Sequence, residues 1–358
     1  MTAENETINS KYAKFVNKKI LFIIISTLLL LIFIVVSTTI GSAKISFMEV
    51  LKAVFGNGTK TNEQIIWKIR LPRVLSAVLA GIALAVVGTA MQSILRNPLG
   101  SPFTLGLSNA AAFGAAFAVI ILGAGSTHSS SSDAVLLNNP YIVTISAFFW
   151  CTVATVAILV ILKVKECSPQ TMILMGIIMG SLFGSGTTAL EYFADDVQLA
   201  SIVFWTFGDL GRSNWESFLI MFVVIVPSVL YFVKNSWNYS ALNSGDETAQ
   251  SLGVNANRLR IGGMLVASLM TSTVVAFFGI IAFIGLVVPH IVRFFVGNDE
   301  RFLIPANVSF GALFLLISDT VARTIIAPIV LPVGILTSFL GAPLFLYLLI
   351  KGKGRTIG

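Results

Sequence analysis

Ten long apolar stretches follow one another along this 358-residue chain, near 20–40, 71–95, 102–123, 140–162, 170–194, 215–233, 259–279, 280–296, 303–325 and 332–350. A helix needs about 20 apolar residues to cross a bilayer core. No water reaches that core, so a spanning segment must satisfy its own backbone, as a helix does. The chain therefore reads as an all-α polytopic membrane protein of about ten transmembrane helices. Composition agrees, since 11% of its residues are charged against about 25% in soluble domains. The expected organisation is a tail over 1–19, a single transmembrane domain over 20–351 and, within that domain, a long polar connection at 235–258. The run at 20–40 exceeds the roughly 7–15 residues of a signal-peptide core, so it reads as an uncleaved first span.

An even number of spans puts both termini on one side. With the N-terminus inside, Lys11, Lys14, Lys18, Lys19, Arg96, Lys163, Lys165, Lys234, Arg258, Arg260, Arg293, Arg301, Lys351, Lys353 and Arg355 are cytoplasmic, the majority of the 23 Lys and Arg. This is the bias expected of inner loops. The net charge of +7 is spread between apolar runs rather than along one stripe, which argues against nucleic acid as a partner.

Two spans look interrupted. Asn97-Pro98-Leu-Gly-Ser-Pro102 precedes the third, and Gly279 through Gly285 to Pro289 and His290 interrupts the eighth. Such breaks are tolerated at membrane depth where neighbouring helices or a cavity satisfy the freed backbone. They fall five spans apart, so blocks of spans two to five and seven to ten would run in opposite directions, an inverted repeat of the kind transporters use.

Among the connections, Ser46 to Phe55 reads as a short amphipathic surface helix with Phe47, Val50, Leu51 and Val54 on one side. The loop at 123–140, with His128 and Asp133, has no periodicity. The stretch Asp246, Glu247, Thr248, Ala249, Gln250, Ser251, Leu252, closed by Gly253, is polar and helix-compatible, and reads as a docking element rather than a linker.

No G-x-x-x-x-G-K-[ST] loop occurs, so the usual phosphate cradle for a nucleotide is missing. No zinc spacing, nucleophile elbow or convergent His/Asp/Ser set appears either, and the two histidines are His128 and His290. Cys151 and Cys167 read as bystanders. On the fifth span Gly176, Gly180 and Gly184 recur at four-residue spacing, followed by Thr187 and Thr188. That pattern suits close helix packing, and equally a smooth path that does not hold its cargo tightly. Arg70 and Arg73 flank Pro72 at the outer mouth of the second span, and Arg323 ends the ninth on the same side. Positive charge outside runs against the orientation bias. Arginine forks match carboxylates, which makes these three candidates for gripping an acidic extracellular partner; snorkelling to lipid headgroups is the competing role. Asp319, four residues before Arg323, stands at pairing distance on one helix face.

The stretches Arg70-Leu-Pro-Arg73, Gly81 to Gln92, Asn97 to Pro102, Leu107-Ser-Asn109, Trp205 to Trp215, Asp246 to Gly253, Gly285 to Arg293, Asp319 to Arg323 and Gly341-Ala-Pro343 run in one order through almost the whole chain. In them the chain resembles the FecCD type of ABC permease, which includes cobalamin, iron-siderophore and haem permeases of bacterial cell membranes. The resemblance implies a type II importer fold that pairs with a second permease subunit, identical or paralogous, around a path lined by the fifth and tenth spans. It implies two ABC ATPase subunits, which carry the ATP and Mg, seated on the coupling loop at Asp246 to Gly253; this chain would bind no cofactor. It also implies an extracellular substrate-binding protein, here expected as a lipoprotein, whose glutamates meet Arg70, Arg73 and Arg323. The rival is an ion-coupled secondary transporter with inverted repeats, which needs an ion-site acid at mid-membrane, and such acids are scarce here.

Overall fold

The computed structural model describes residues 8–41, 45–124, 140–164 and 168–352, and among them no strand occurs. The loop residues His128 and Asp133, together with Lys165, Cys167, Lys353 and Arg355, lie outside the described residues.

The first helix, α1, covers Ile8–Thr39, so it reaches back through most of the stretch expected as a tail. Nothing from Ile8 to Lys19 is Gly or Pro, the residues that stop helices. The surface helix α2, Phe47–Val54, forms as expected, closed by a capping box in which the Ser46 and Glu49 side chains take each other's backbone N–H. Its inner side is Val50 and Ala53, packed with Ile66, while Phe47 is exposed. A short helix α3, Lys60–Gln64, then passes through a π-helical turn, Ile65–Arg70, into α4, Leu71–Ile94.

There follow α5 (Leu107–Ile120), α6 (Pro140–Val164), α7 (Pro169–Tyr192), α8 (Asp196–Thr206), α9 (Trp215–Lys234), α10 (Ser236–Asn243), α11 (Asp246–Ser251), α12 (Ala256–Phe278), α13 (Ile284–Val296), α14 (Glu300–Thr324) and α15 (Val333–Gly352). Among the described residues seven helices are long and apolar enough to cross a membrane, and three shorter apolar ones, Leu107–Ile120, Ile284–Val296 and Val333–Tyr347, lie at the remaining expected spans.

The core is built around α4, in which 19 of 24 residues are buried. Small residues make this possible, because without a hydrophobic drive between helices in lipid, association depends on close backbone approach. A Cβ on Gly88 would lie 1.9 Å from the carbonyl oxygen of Gly285 in α13, and one on Gly81 would lie 2.4 Å from that of Gly311 in α14. At these two crossings the helices touch through bare backbone.

Both predicted interruptions are present, with one correction. After α4 the chain turns at Arg96 (φ 46°), Asn97 Oδ1 accepts from the Leu99 N–H at 2.9 Å, and a 3-10 turn, Pro102–Leu105, leads to Gly106 in the left-handed region at the start of α5. The second interruption covers residues 279–283, from Gly279 (φ 77°) to Phe283 (φ 66°), which stands in the same left-handed region at the start of α13. Pro289 and His290 are not at the break: they lie inside α13, which continues to Val296. The glycine conformation ends α12, and the helix restarts before the proline.

Candidate functional site

Two charged assemblies stand at opposite ends of α4, and a partly open face of α7 lies beside them. Each grows from a backbone problem that the sequence must solve.

At the start of α4 the problem is the end of α1. The last carbonyls of a helix have no partner within it. Arg70 Nη1 donates to Thr38 O at 2.8 Å and Thr39 O at 2.7 Å, and Arg323 donates to Ile40 O at 3.1 Å and Ser37 O at 3.3 Å, with Ser37 Oγ at 2.7 Å. Two positive groups thus close the negative end of α1, as the helix dipole favours.

Asp319 of α14, which is fully buried, joins the remaining arginines. Arg73 meets it as a fork, Nη2 at 2.8 Å and Nε at 3.1 Å from Oδ1. Arg323 Nε lies 3.0 Å from Oδ2, the i,i+4 pair expected from the sequence. Asp209 stands 3.5 Å from Arg73 with a third of its side chain exposed. The three arginines read as displayed forks are therefore turned inward, with Arg70 4% and Arg323 9% exposed. The reason is electrostatic, because a carboxylate as buried as Asp319 is severely destabilising without its counter-charges.

At the other end of α4 two polar groups of residues converge. Glu300, at the first turn of α14, is 1% exposed; its Oε1 accepts from Ser93 Oγ at 2.7 Å and from Asn243 Nδ2 at 3.1 Å. Arg293 of α13 donates to Gln92 of α4 beside it. Farther out, Asp246 opens α11, and Arg260 of α12 grips its carboxylate at 2.6 and 2.7 Å. The expected docking element is thus a helix over Asp246–Ser251 carried by Gly245 (φ 119°) and closed near Gly253 (φ 81°), with Ala249 its buried residue. Glu247 and Gln250 are exposed, and Leu252 is 67% exposed. Sequence reading did not single out Glu300, Ser93, Asn243 or the Asp246–Arg260 pair, since no fixed spacing links them.

On α7 the glycines divide. Gly176 is buried with its Cα against Thr104 and Leu105, where a Cβ would come 2.0 Å from Thr104 O; it is a packing contact rather than a lining residue. Gly180 accepts Asn109 Nδ2 at its carbonyl at 2.7 Å, and Gly184 lies near the same amide. Thr187 and Thr188 donate their hydroxyls to Phe183 O and Gly184 O of their own helix. The open face of α7 carries Ser181, Ser185 and Thr188, a small polar stripe among exposed Leu174, Ile177, Ile178 and Leu182. His290 Nδ1 has no hydrogen-bond partner and its ring stands edge-on to Phe294 and Phe345, so it does not serve a backbone carbonyl through that nitrogen. Cys151 is buried, its Sγ 3.2 Å from Leu107 O.

Known proteins are similar to this chain over most of its length. An ABC transporter permease of Methanocaldococcus jannaschii is 53% identical over 96% of this chain and 98% of its own length. The hemin transport system permease HmuU of Yersinia pestis is 35% identical, covering 89% of this chain and 93% of that one. The molybdate import permease MolB of Haemophilus influenzae is 33% identical, covering 91% and 94%. A solved structure described as an inward-facing, metal-chelate type ABC transporter superposes with a TM-score of 0.79 at 30% identity, over 92% of this chain and 98% of that one. The model of the FecCD transport family matches residues 29–351. Over nearly its whole length, then, this chain belongs to the FecCD transport family, a family of membrane permeases that leave ATP hydrolysis to a separate subunit.

Proposed function

We propose that the chain is the permease of an ATP-driven importer for a bulky metal chelate, an iron–siderophore complex first and haem or cobalamin as related cargo. The observation that carries this reading is α11: a short polar helix with a single buried side chain, clipped to the end of the central helix. A helix with so little packing of its own is suited to being held from outside. ATPases seated there, at Asp246 to Gly253, would rock two paired permeases between inward- and outward-open states. Both termini and α11 then face the cytoplasm, and the Asp319 assembly faces outward. Cargo would pass along the open face of α7, from Gly180 and Gly184 to Thr188. The hemin relative and the chelate-type structure support the chelate class; the molybdate relative makes an oxyanion the second reading.

Proteoliposomes holding the permease, its ATPase and its binding protein test this with four cargoes: a ferric siderophore, haem, cobalamin and molybdate. Uptake of one metal complex is expected, dependent on ATP and on the ATPase, and blocked by Ser185→Trp while the ATPase stays attached. Uptake driven by an ion gradient without the ATPase would overturn the reading, and uptake of molybdate alone would move it to the second cargo.

Docking of the binding protein is proposed at the outer rim braced by Arg70, Arg73 and Arg323, where Arg73 holds the partly exposed Asp209 in place. Arg73→Lys keeps the charge but loses the fork. It is expected to weaken docking about tenfold, equivalent to about 1.4 kcal/mol, with ATPase attachment unchanged. Unaltered affinity for the binding protein would remove the role.

A further inference from the structure

The way α11 is fastened says more than that it is available for docking. Of its six residues only Ala249 is buried, and a methyl group contributes about 0.8 kcal/mol and no direction. Direction comes from its first residue. Asp246 accepts both forks of Arg260, Nη1 to Oδ2 at 2.7 Å and Nη2 to Oδ1 at 2.6 Å. The same guanidinium, 1% exposed, donates Nε to Ile94 O at 3.3 Å, in the last turn of α4. Arg96, just past that turn, brings a second guanidinium to 3.8 Å from the same carboxylate. It does so from φ 46°, a left-handed conformation that a residue with a Cβ seldom adopts.

One carboxylate is thus held from α12 and from the end of α4 together. Beside the fork lies a polar cavity of about 730 Å³, bounded by Arg96, Asp246 and Arg260 on one side and by Ser168, Pro169 and Gln170 at the start of α7 on the other. The helix packs against α10 and α12, is tied through Asp246 to α12 and the end of α4, and stands across that cavity from the start of α7. A bidentate guanidinium–carboxylate pair fixes angle as well as distance, so through this carboxylate a push on α11 reaches α12 and the end of α4 in a defined direction.

We propose that the Asp246–Arg260 fork is the positioning link that turns displacement of α11 into movement of α4 and α12, and so ties ATP hydrolysis to opening of the path. This rests on α11 being the ATPase docking element. The Arg260 hydrogen bonds hold the Asp246 carboxyl below the usual carboxylate range, so the link stays charged throughout the physiological pH range.

The assembled transporter in proteoliposomes provides the test. Arg260→Gln removes the fork from the α12 side and leaves the α11 sequence untouched, while Arg260→Lys retains a cation within reach of the carboxylate. With Arg260→Gln, ATPase attachment and hydrolysis are expected to stay within about twofold of the wild type. Cargo moved per ATP should fall about tenfold, within the 5–150-fold that site-to-site coupling commonly spans. Arg260→Lys is expected to recover a substantial part. The readout is the transport-to-hydrolysis ratio, which a general loss of folded protein leaves unchanged because both fall together. An unchanged ratio in Arg260→Gln overturns the link. Detachment of the ATPase in that variant also overturns it, since the fork would then hold α11 for docking rather than pass on its motion. The docking reading is checked separately in the otherwise unaltered protein by crosslinking from Leu252→Cys to the ATPase: no crosslink there removes that reading, whatever the ratio shows.

Discussion

Asp319→Ala is expected to lose about 3–5 kcal/mol of stability, the usual cost of leaving a buried ion pair half-made. Here the cost falls on two cations at once. Arg73 would lose both arms of its fork and Arg323 its 3.0 Å partner, with Asp209, 3.5 Å from Arg73, the remaining acid. Arg323 also helps close the end of α1, so its displacement would release the Ser37 and Ile40 carbonyls. The measurement is the fraction of detergent-solubilised protein that elutes as a single species after graded heating. A midpoint within a degree or two of the wild type would show that the assembly is not what holds α1, α4 and α14 together. Asp319→Asn, which still accepts a hydrogen bond, is expected to fall between the two.

The second large effect is expected from removing residues 246–253. Those residues make few internal contacts: Ala249 is buried, and Asp246 supplies the carboxylate to Arg260. A short glycine–serine replacement should therefore leave the membrane helices folded, with ATPase copurification and ATP-dependent uptake both lost. Retention of the ATPase on such a variant would place the docking surface elsewhere. Trp237, exposed on α10 with Arg301 stacked 4.0 Å from its ring centroid, would then be the surface to examine.

The positions of the membrane helices were legible in the sequence because hydrophobicity in lipid is a one-dimensional signal. The pair Asp319–Arg323 was legible too, since four residues on a helix is a fixed geometry. Arg70 was not, because its partners are the Thr38 and Thr39 carbonyls, which every residue carries and no sequence pattern announces. Reading Arg70, Arg73 and Arg323 as outward forks followed from their unusual side of the membrane; in the structure Arg70 and Arg323 serve the end of α1, and Arg73 serves Asp319. Pro289 misplaced the second break for a related reason. Proline commonly ends helices, but here Gly279 and Phe283, both at positive φ, make the turn first. The helix α8, Asp196–Thr206, falls between two expected spans and at 11 residues is too short to cross a bilayer, so the hydrophobic pattern did not announce it; its start is a capping box of Asp195 with Gln198. Gly176, Gly180 and Gly184 were correctly seen as one face of α7, yet spacing alone could not tell which member meets a neighbouring backbone.

The contact of Gly88 with Gly285 and of Gly81 with Gly311 has a mechanical consequence. Surfaces that carry side chains can slip past one another by exchanging rotamers, like cogs with some play. Two naked peptide chains have no such cushion, since the Gly285 and Gly311 carbonyl oxygens already rest where Gly88 and Gly81 would carry a side chain. The trio α4, α13 and α14 is therefore bound to travel as one block, and the hinge of the working machine has to lie outside it.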